Sequence, residues 1–405
     1  MKTLWIVSGG VEAVPGVKRA KAMGLHVVVS DMDPNAPAAS IADDFVLAST
    51  YDAEATVEAA LHYHKNKRPL DGVVCVAADV PVTVARVAEA VGLPGIPVSV
   101  AELAADKLAM KQRFREEGVP IPWFCRVESF GHLQQLVREH GLPLVIKPVD
   151  SRGARGVLRL TKDVDLDWAY QHSLGFSPSG RVMLEEYLAG PQISTESLMV
   201  SGKGATPGFA DRNYEFIEKF APFMIENGGE QPSRLTAKQQ KDVRDCAEQA
   251  ALAMGIENGI AKGDLVLTDS GPKVIEVAAR LSGGWFSTDQ IPIGTGVDLV
   301  ELVIRQALGE KIALQDTTPV MSKGVAIRYF FPPAGKLVEV TGVESFAGKS
   351  WIHKLGFFVK PGDEIEKTSN HTQRAGFVIT TGDTREQAVR RACSVVDGLT
   401  WRVER

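Results

Sequence analysis

Polar punctuation divides the chain into short runs of two different rhythms. Residues 4–7 are all apolar and stop at Ser8-Gly9-Gly10, and residues 25–30 form a second such run that ends in Asp31-Met32-Asp33-Pro34. Strands that are apolar on both faces belong to parallel sheets covered on both sides. The stretch between them, 15–23 with a stop at Gly24, has the pattern of a crossover helix. The same unit recurs as a strand over 73–77 and a helix over 79–91 closed by Gly92, so βα units continue to about Pro97.

Beyond that point the rhythm changes. From 101 to 118 the spacing predicts one amphipathic helix, with Leu103, Leu108, Met110 and Phe114 on its apolar face and Gly118 as its end. Pro120, Pro122 and Trp123 then open a different unit, with a helix predicted over 129–140 and strands over 144–148, 157–160, 183–188 and 192–200. Thr236-Ala237-Lys238-Gln239 is a capping box for a helix whose stripe of Val243, Cys246, Ala250 and Met254 stops at Gly255. Residues 264–267 and 273–278 pair as the arms of a hairpin around Ser270-Gly271-Pro272, and 297–308 is again helical. From about Pro319 strands and turns take over (324–331, 337–340, 376–381), and Asp383-Thr384 caps a last helix to about Leu399. The fold predicted is α/β and α+β: a Rossmann-like parallel-sheet domain over 1–100, a central domain over 101–318 with a mobile lid near 123–188, and a strand-rich module over 319–405.

Composition narrows the function classes. A chain of 405 residues exceeds one ordinary core, so two or three domains are expected. The formal net charge of −5 gives no electrostatic footprint for nucleic acid or an anionic membrane. Four apolar residues before Ser8 are too few for a signal peptide, and no later run could span a bilayer, so a cytoplasmic protein is expected. Cys75, Cys125, Cys246 and Cys393 lie far apart without CxxC spacing and read as reduced thiols. The opening β-loop-α-β with its terminal acid invites a dinucleotide site. Gly9-Gly10 with a distant Gly16 does not complete G-x-G-x-x-G, however, so these strand-end loops are expected to serve another purpose.

Three stretches carry candidate chemistry. Asp264 and Glu276 lie 276 − 264 = 12 positions apart on opposite hairpin arms, where correct register brings their oxygens to one side of the sheet. Two hard oxygen ligands with room left for water and phosphate suit Mg²⁺ holding a nucleotide; the bland alternative is a solvated cross-strand pair. Lys147 sits in the apolar run Leu144-Val145-Ile146-Lys147-Pro148 and needs an anionic partner there. Directly after it, Asp150-Ser151-Arg152-Gly153-Ala154-Arg155-Gly156 has the small residues that let backbone N–H groups approach phosphate, as a hairpin flap and not a Walker A loop. Lys107, taken alone, is a solvated helical lysine.

Lys107, Lys147-Pro148, the flap, Glu185-Glu186-Tyr187-Leu188, Asp264, Glu276 and Arg280 occur in the order and spacing of the ATP-grasp superfamily, and the chain resembles its biotin carboxylase and L-amino-acid ligase branch. The resemblance implies ATP and Mg²⁺. Lys107 and Lys147 would hold phosphates, the flap with Ser151, Gly153 and Gly156 would cover them, and the 185–188 hinge with Glu186 would bind the nucleotide, Glu185 and Leu188 reading adenine. Glu196 would approach the ribose, Asp264 and Glu276 would carry the metal, and Arg280 and Lys147 would act in catalysis. One departure is Ala278, where many relatives have Asn two residues after the second metal glutamate. The reaction implied joins a small-molecule carboxylate to an amine through an acyl phosphate, in a cytoplasmic enzyme whose relatives suggest a homodimer. Activation of bicarbonate or a purine-pathway substrate, and a regulator without turnover, are the competing readings. A substrate pocket is expected from the Gly9-Gly10 loop, Asp79, the segment 212–222 and Ser282-Gly283-Gly284.

Overall fold

The apolar runs near the N-terminus become parallel strands. In the computed structural model, which describes residues 1–404, β1 (Thr3–Val7), β2 (His26–Asp31), β3 (Asp44–Leu47) and β4 (Gly72–Cys75) form a parallel sheet in the order β3-β2-β1-β4. β1 shows why the run has no polar interruption. Leu4 and Ile6 pack on one side with Val17 and Ala20 of α1 (Val14–Ala22), while Trp5 and Val7 pack on the other with residues of α2 (Ala53–Asn66) and α3 (Pro81–Val91).

The helix expected over 101–118 is two helices, α4 (Val98–Ala105) and α5 (Lys107–Glu116). Asp106 between them is extended (φ −119°, ψ 105°), and its carboxylate accepts the Ala109 N–H at 2.9 Å as the cap of α5. The break makes Lys107 the first residue of α5, where its charge opposes the helix dipole by about 0.3–1 kcal/mol.

β5 (Phe124–Val127), β6 (Leu144–Pro148), β7 (Leu158–Leu160) and β8 (Val182–Glu186) form a separate antiparallel sheet in the order β5-β8-β6-β7. Helices α6 (Phe130–His140) and α7 (Leu166–Gly175) close its apolar core. The flap is the connection between paired β6 and β7.

The largest sheet holds β9 (Gln192–Val200), β10 (Lys203–Asn213), β11 (Gly228–Gln231), β12 (Gly259–Thr268) and β13 (Gly271–Ala278), and continues into β14 (Gly324–Phe330), β16 (Ile352–Phe357) and β18 (Gly376–Gly382). Its order is β13-β12-β9-β10-β11-β14-β18-β16. A boundary at 318/319 therefore falls between strands of one sheet, because β11 pairs with β14 (Glu230↔Ala326). Gly-Gly-Glu-Gln has no apolar alternation to announce that link. The small sheet β17-β15-β19 comprises β15 (Gly335–Thr341), β17 (Glu364–Ile365) and β19 (Thr400–Glu404). Helix α8 (Ala237–Ala253), with the expected capping box at Thr236 and Gln239, packs against the large sheet. α9 (Ile291–Thr295) and α10 (Leu299–Ala307) precede the C-terminal strands, and α11 (Arg385–Gly398) covers β14 and β18. No helix among the described residues is long and apolar enough to cross a membrane, and all four cysteines are free thiols.

Candidate active site

The hairpin register brings two carboxylates together. Asp264 of β12 stands opposite Glu276 of β13, with a pairing irregularity just after Asp264 and a two-residue turn between paired Thr268 and Gly271, slightly before the turn the sequence predicts. Arg212 lies 2.8 Å from Asp264 Oδ1, and Lys262 bonds its other oxygen. Lys107 Nζ is 3.6 Å from Glu276 Oε2. Burial would raise both acids. Arg212 and Lys262 instead hold Asp264 below the usual carboxylate range, and Lys107 and Lys262 hold Glu276 well below it. Ala278, which departs from the family pattern, is paired with Lys262.

α5 faces the same place with two lysines one turn apart. Lys107 Nζ donates to Ser151 O at 2.8 Å, and Lys111 Nζ donates to Val274 O at 3.0 Å. Lys147 finds its anionic partner in Glu185: the two are buried and 2.5 Å apart, with Lys111 3.4 Å from the other carboxylate oxygen. Burial would raise Glu185, yet Lys111 and Lys147 hold it down. Glu185 thus anchors two ammonium groups with its side chain. Glu186 lies 3.1 Å from Lys273, and Glu186 and Leu188 both border the cleft.

The structure separates four expected residues from the cleft wall. Glu196 is fully buried: its carboxylate accepts Ser287 Oγ–H at 2.6 Å and the Ser282 N–H at 3.0 Å, and burial pushes its carboxyl up. Strand parity puts it on the face of Ser194, which does line the cleft, but the 282–287 loop covers it, so an approach to a ribose is not what this side chain is placed for. Gly9 is tied to Asp31 through its N–H, and the Gly9-Gly10 loop does not border the cleft. Gly156 packs on Pro148, where a Cβ would come within 2.8 Å, whereas Ser151 and Gly153 line the opening.

Arg280 projects from beyond β13 with its Nε 3.4 Å from Asp79 and without a hydrogen-bond partner. Ser282, Gly283 and Gly284 border the cleft beside it. Gly284 has φ +64°, and a Cβ there would meet Tyr329 Oη at 2.6 Å, so the close approach requires glycine. Sequence reasoning missed the far wall, where Arg374 stacks on Tyr329 at 3.6 Å and donates to Glu226 O at 2.7 Å. His371 beside them is kept neutral by burial and by the charges of Arg374 and Arg212. No motif marks these residues, which arrive from a segment more than ninety positions after Arg280 in the case of Arg374. The cleft encloses about 310 Å³.

The donor set fits a nucleotide with a hard divalent cation. Among the described residues no three His, Cys, Asp or Glu side chains converge on a metal position, so a cation here would rest on two ionised carboxylates with phosphate and water completing its shell.

Three family models match successive stretches of the chain. Residues 17–95 match the ATP-grasp N-terminal domain, 104–284 the ATP-grasp domain, and 328–404 the L-amino acid ligase C-terminal domain 2. A D-alanine–D-alanine ligase of Synechococcus sp. is 32% identical over 252 residues, covering 58% of this chain and 74% of that protein. The chain belongs to the ATP-grasp family. An uncharacterized protein of Sinorhizobium fredii is 26% identical over 82% of this ATP-grasp chain and 68% of its own length. Of the carbamoyl phosphate synthase large chain of Rubrobacter xylanophilus, 24% identical, the chain spans 30%. The crystal structure of L-amino acid ligase from Bacillus licheniformis superposes with a TM-score of 0.83 at 22% identity, covering 100% of this chain and 99% of that one, which establishes likeness of fold. The ATP-grasp fold and the ATP-dependent ligase class expected from the sequence both hold, within a family of carboxylate–amine ligases.

Proposed function

We propose that this protein is an ATP- and Mg²⁺-dependent ligase that joins the carboxylate of one small molecule to the amine of another, making a dipeptide-like amide through an acyl phosphate. The observation that carries the reading is the far wall: the segment matching the L-amino acid ligase C-terminal domain supplies Tyr329, His371 and Arg374 to the cleft that holds Lys107, Lys147, Asp264 and Glu276. The part of the chain most specific to amino-acid ligation thus borders the place where the substrates would lie.

Lys107 and Lys147 hold phosphate oxygens of ATP, and Ser151 and Gly153 of the flap cover them. Leu188 and the hinge backbone border the base. Asp264 and Glu276 hold Mg²⁺, which when bound neutralises phosphate charge that would repel an anionic nucleophile. Lys262, opposite Ala278, already brings a positive charge to Asp264, and one metal ion suffices for this reading. The substrate carboxylate, paired with Arg280, attacks the γ-phosphorus; the bond to the β-phosphate oxygen breaks and ADP leaves. The amine nitrogen then adds to the acyl carbon, loses a proton, and inorganic phosphate departs as the amide forms. Arg280 is placed to follow the carboxyl oxygen as charge builds in the tetrahedral species. The flap excludes water, which would otherwise hydrolyse the acyl phosphate.

The test is phosphate release with ATP, Mg²⁺ and pairs of L-amino acids, followed by mass measurement of the product. An amide with one phosphate released per bond is the expected result. Phosphate release stimulated by bicarbonate alone, with no amide from any pair, would replace this reading with a carboxylating one. Light scattering on the same preparation tests the homodimer.

A further inference from the structure

We infer that Tyr51 and Asp79 of the parallel-sheet domain latch the glycine-rich flap, and that Asp79 relays the state of the latch to Arg280. The inference rests on the ligase reading only in its second half. The flap's Arg152 reaches out of its own domain: its guanidinium carbon lies 4.8 Å from the Tyr51 ring centroid, and its Nε lies 3.8 Å from Asp79 Oδ2. The other Asp79 oxygen is 3.4 Å from Arg280 Nε. One carboxylate is therefore shared between a flap residue and the residue that would face the reacting carboxyl group.

The receiving frame is rigid although the ring is exposed. Tyr51 is 61% exposed, but Thr83 Oγ1 donates to Thr50 O at 2.8 Å and Asp52 caps α2 through the Ala55 N–H at 3.0 Å, fixing the residues on either side. From the opposite side the His371 N–H donates to Gly153 O at 3.0 Å. Residues 151–157 pair with no sheet, and Gly153, Ala154 and Gly156 are left-handed (φ +63°, +59°, +73°), so few contacts decide whether the flap lies shut. Each such contact shifts the open population by its own free energy.

Asp79 is a positioning residue in this scheme. With the flap open Arg152 is withdrawn, and Asp79 turns wholly to Arg280 and holds it from the substrate. With the flap shut the charge is divided, and Arg280 is released toward the carboxyl group at the moment water is excluded. Bond formation is thereby ordered after closure.

Two measurements test this. Trypsin acting on the full-length, ligand-free protein cuts after Arg152 and Arg155 when the flap opens, and needs no substrate. Tyr51→Leu is expected to be cut roughly two- to fivefold faster, the factor that loss of an exposed cation–π contact yields. Tyr51→Phe keeps the ring and should match wild type, and all three proteins should share one melting temperature. Equal cutting of Tyr51→Leu and wild type, or a Phe variant as labile as the Leu variant, overturns the latch whatever the protein's reaction. For the relay, Asp79→Asn should release more than one phosphate per amide with the KM for ATP unchanged; a ratio that stays at one overturns it. Faster cutting in a protein that makes no amide leaves the latch standing and removes the ligase reading instead.

Discussion

Lys111 stands 3.4 Å from Glu185, and both residues are buried. Burial pushes the Lys111 ammonium down to about 8, against the attraction of Glu185. In the unfolded chain the same lysine keeps its proton to near 10.5. Between these values the unfolded state binds more protons, so folding stability rises with pH. Wild type should accordingly gain stability relative to Lys111→Met from about pH 8 to about pH 10.5 and gain no more above that. Denaturant titrations of both proteins across that window check it, and a difference that is flat or of opposite slope refutes the assignment.

Glu276→Gln should lower phosphate release by roughly 10²-fold or more while the melting temperature stays within a few degrees. The change keeps the shape of a side chain held ionised by Lys107 and Lys262, and removes only the charge that a cation would use. Near-normal release at saturating Mg²⁺ would take Glu276 out of the metal position.

Lys147 and Glu196 are both buried charged residues, yet opposite outcomes are expected from them. Lys147→Ala should weaken ATP binding by about 1.5–3 kcal/mol, roughly tenfold to a hundredfold, through loss of a charge-assisted phosphate contact. Glu196→Gln should leave the ATP dissociation constant within about twofold, because its oxygens are already engaged by Ser282 and Ser287. Titration calorimetry reads both, and a large loss of ATP affinity in the Gln variant would return Glu196 to the nucleotide.

What the sequence made legible was local. A lysine inside an apolar strand announces a partner, and a hairpin with acids at matched positions on its two arms announces their juxtaposition, so local pattern alone singles out Lys147, Asp264 and Glu276. Glu196 was carried toward the ribose by the resemblance alone, and which loop lies over its side chain is a tertiary fact. Asp106 broke a helix that apolar spacing alone ran through, although Asp at the head of a helical run is an ordinary cap signal, and nothing in the pattern singles out Lys111 one turn beyond Lys107. Arg374 and His371 were illegible for a different reason: they enter the cleft only because β11 joins β14, and a four-residue strand without apolar alternation gives no sign of that pairing.

Arg280 distinguishes a working ligase from a protein that only binds nucleotide. Its guanidinium lies at the cleft wall beside Asp79, its shielded Nε lacks a hydrogen-bond partner, and the adjoining glycine positions keep the cleft open where a carboxylate would sit. A planar fork can bind a carboxylate through two N–H groups and keep both as one oxygen gains charge; the point charge of lysine matches that geometry poorly. Arg280→Lys should therefore hold Mg-ATP affinity within a few-fold and lower the rate of amide formation by roughly 10²-fold or more, the size of loss seen when a transition-state donor is removed. Single-turnover product formation beside calorimetric ATP binding separates the two quantities. Parallel losses in both would make Arg280 a structural partner of Asp79, and an unchanged product rate would remove it from the chemistry.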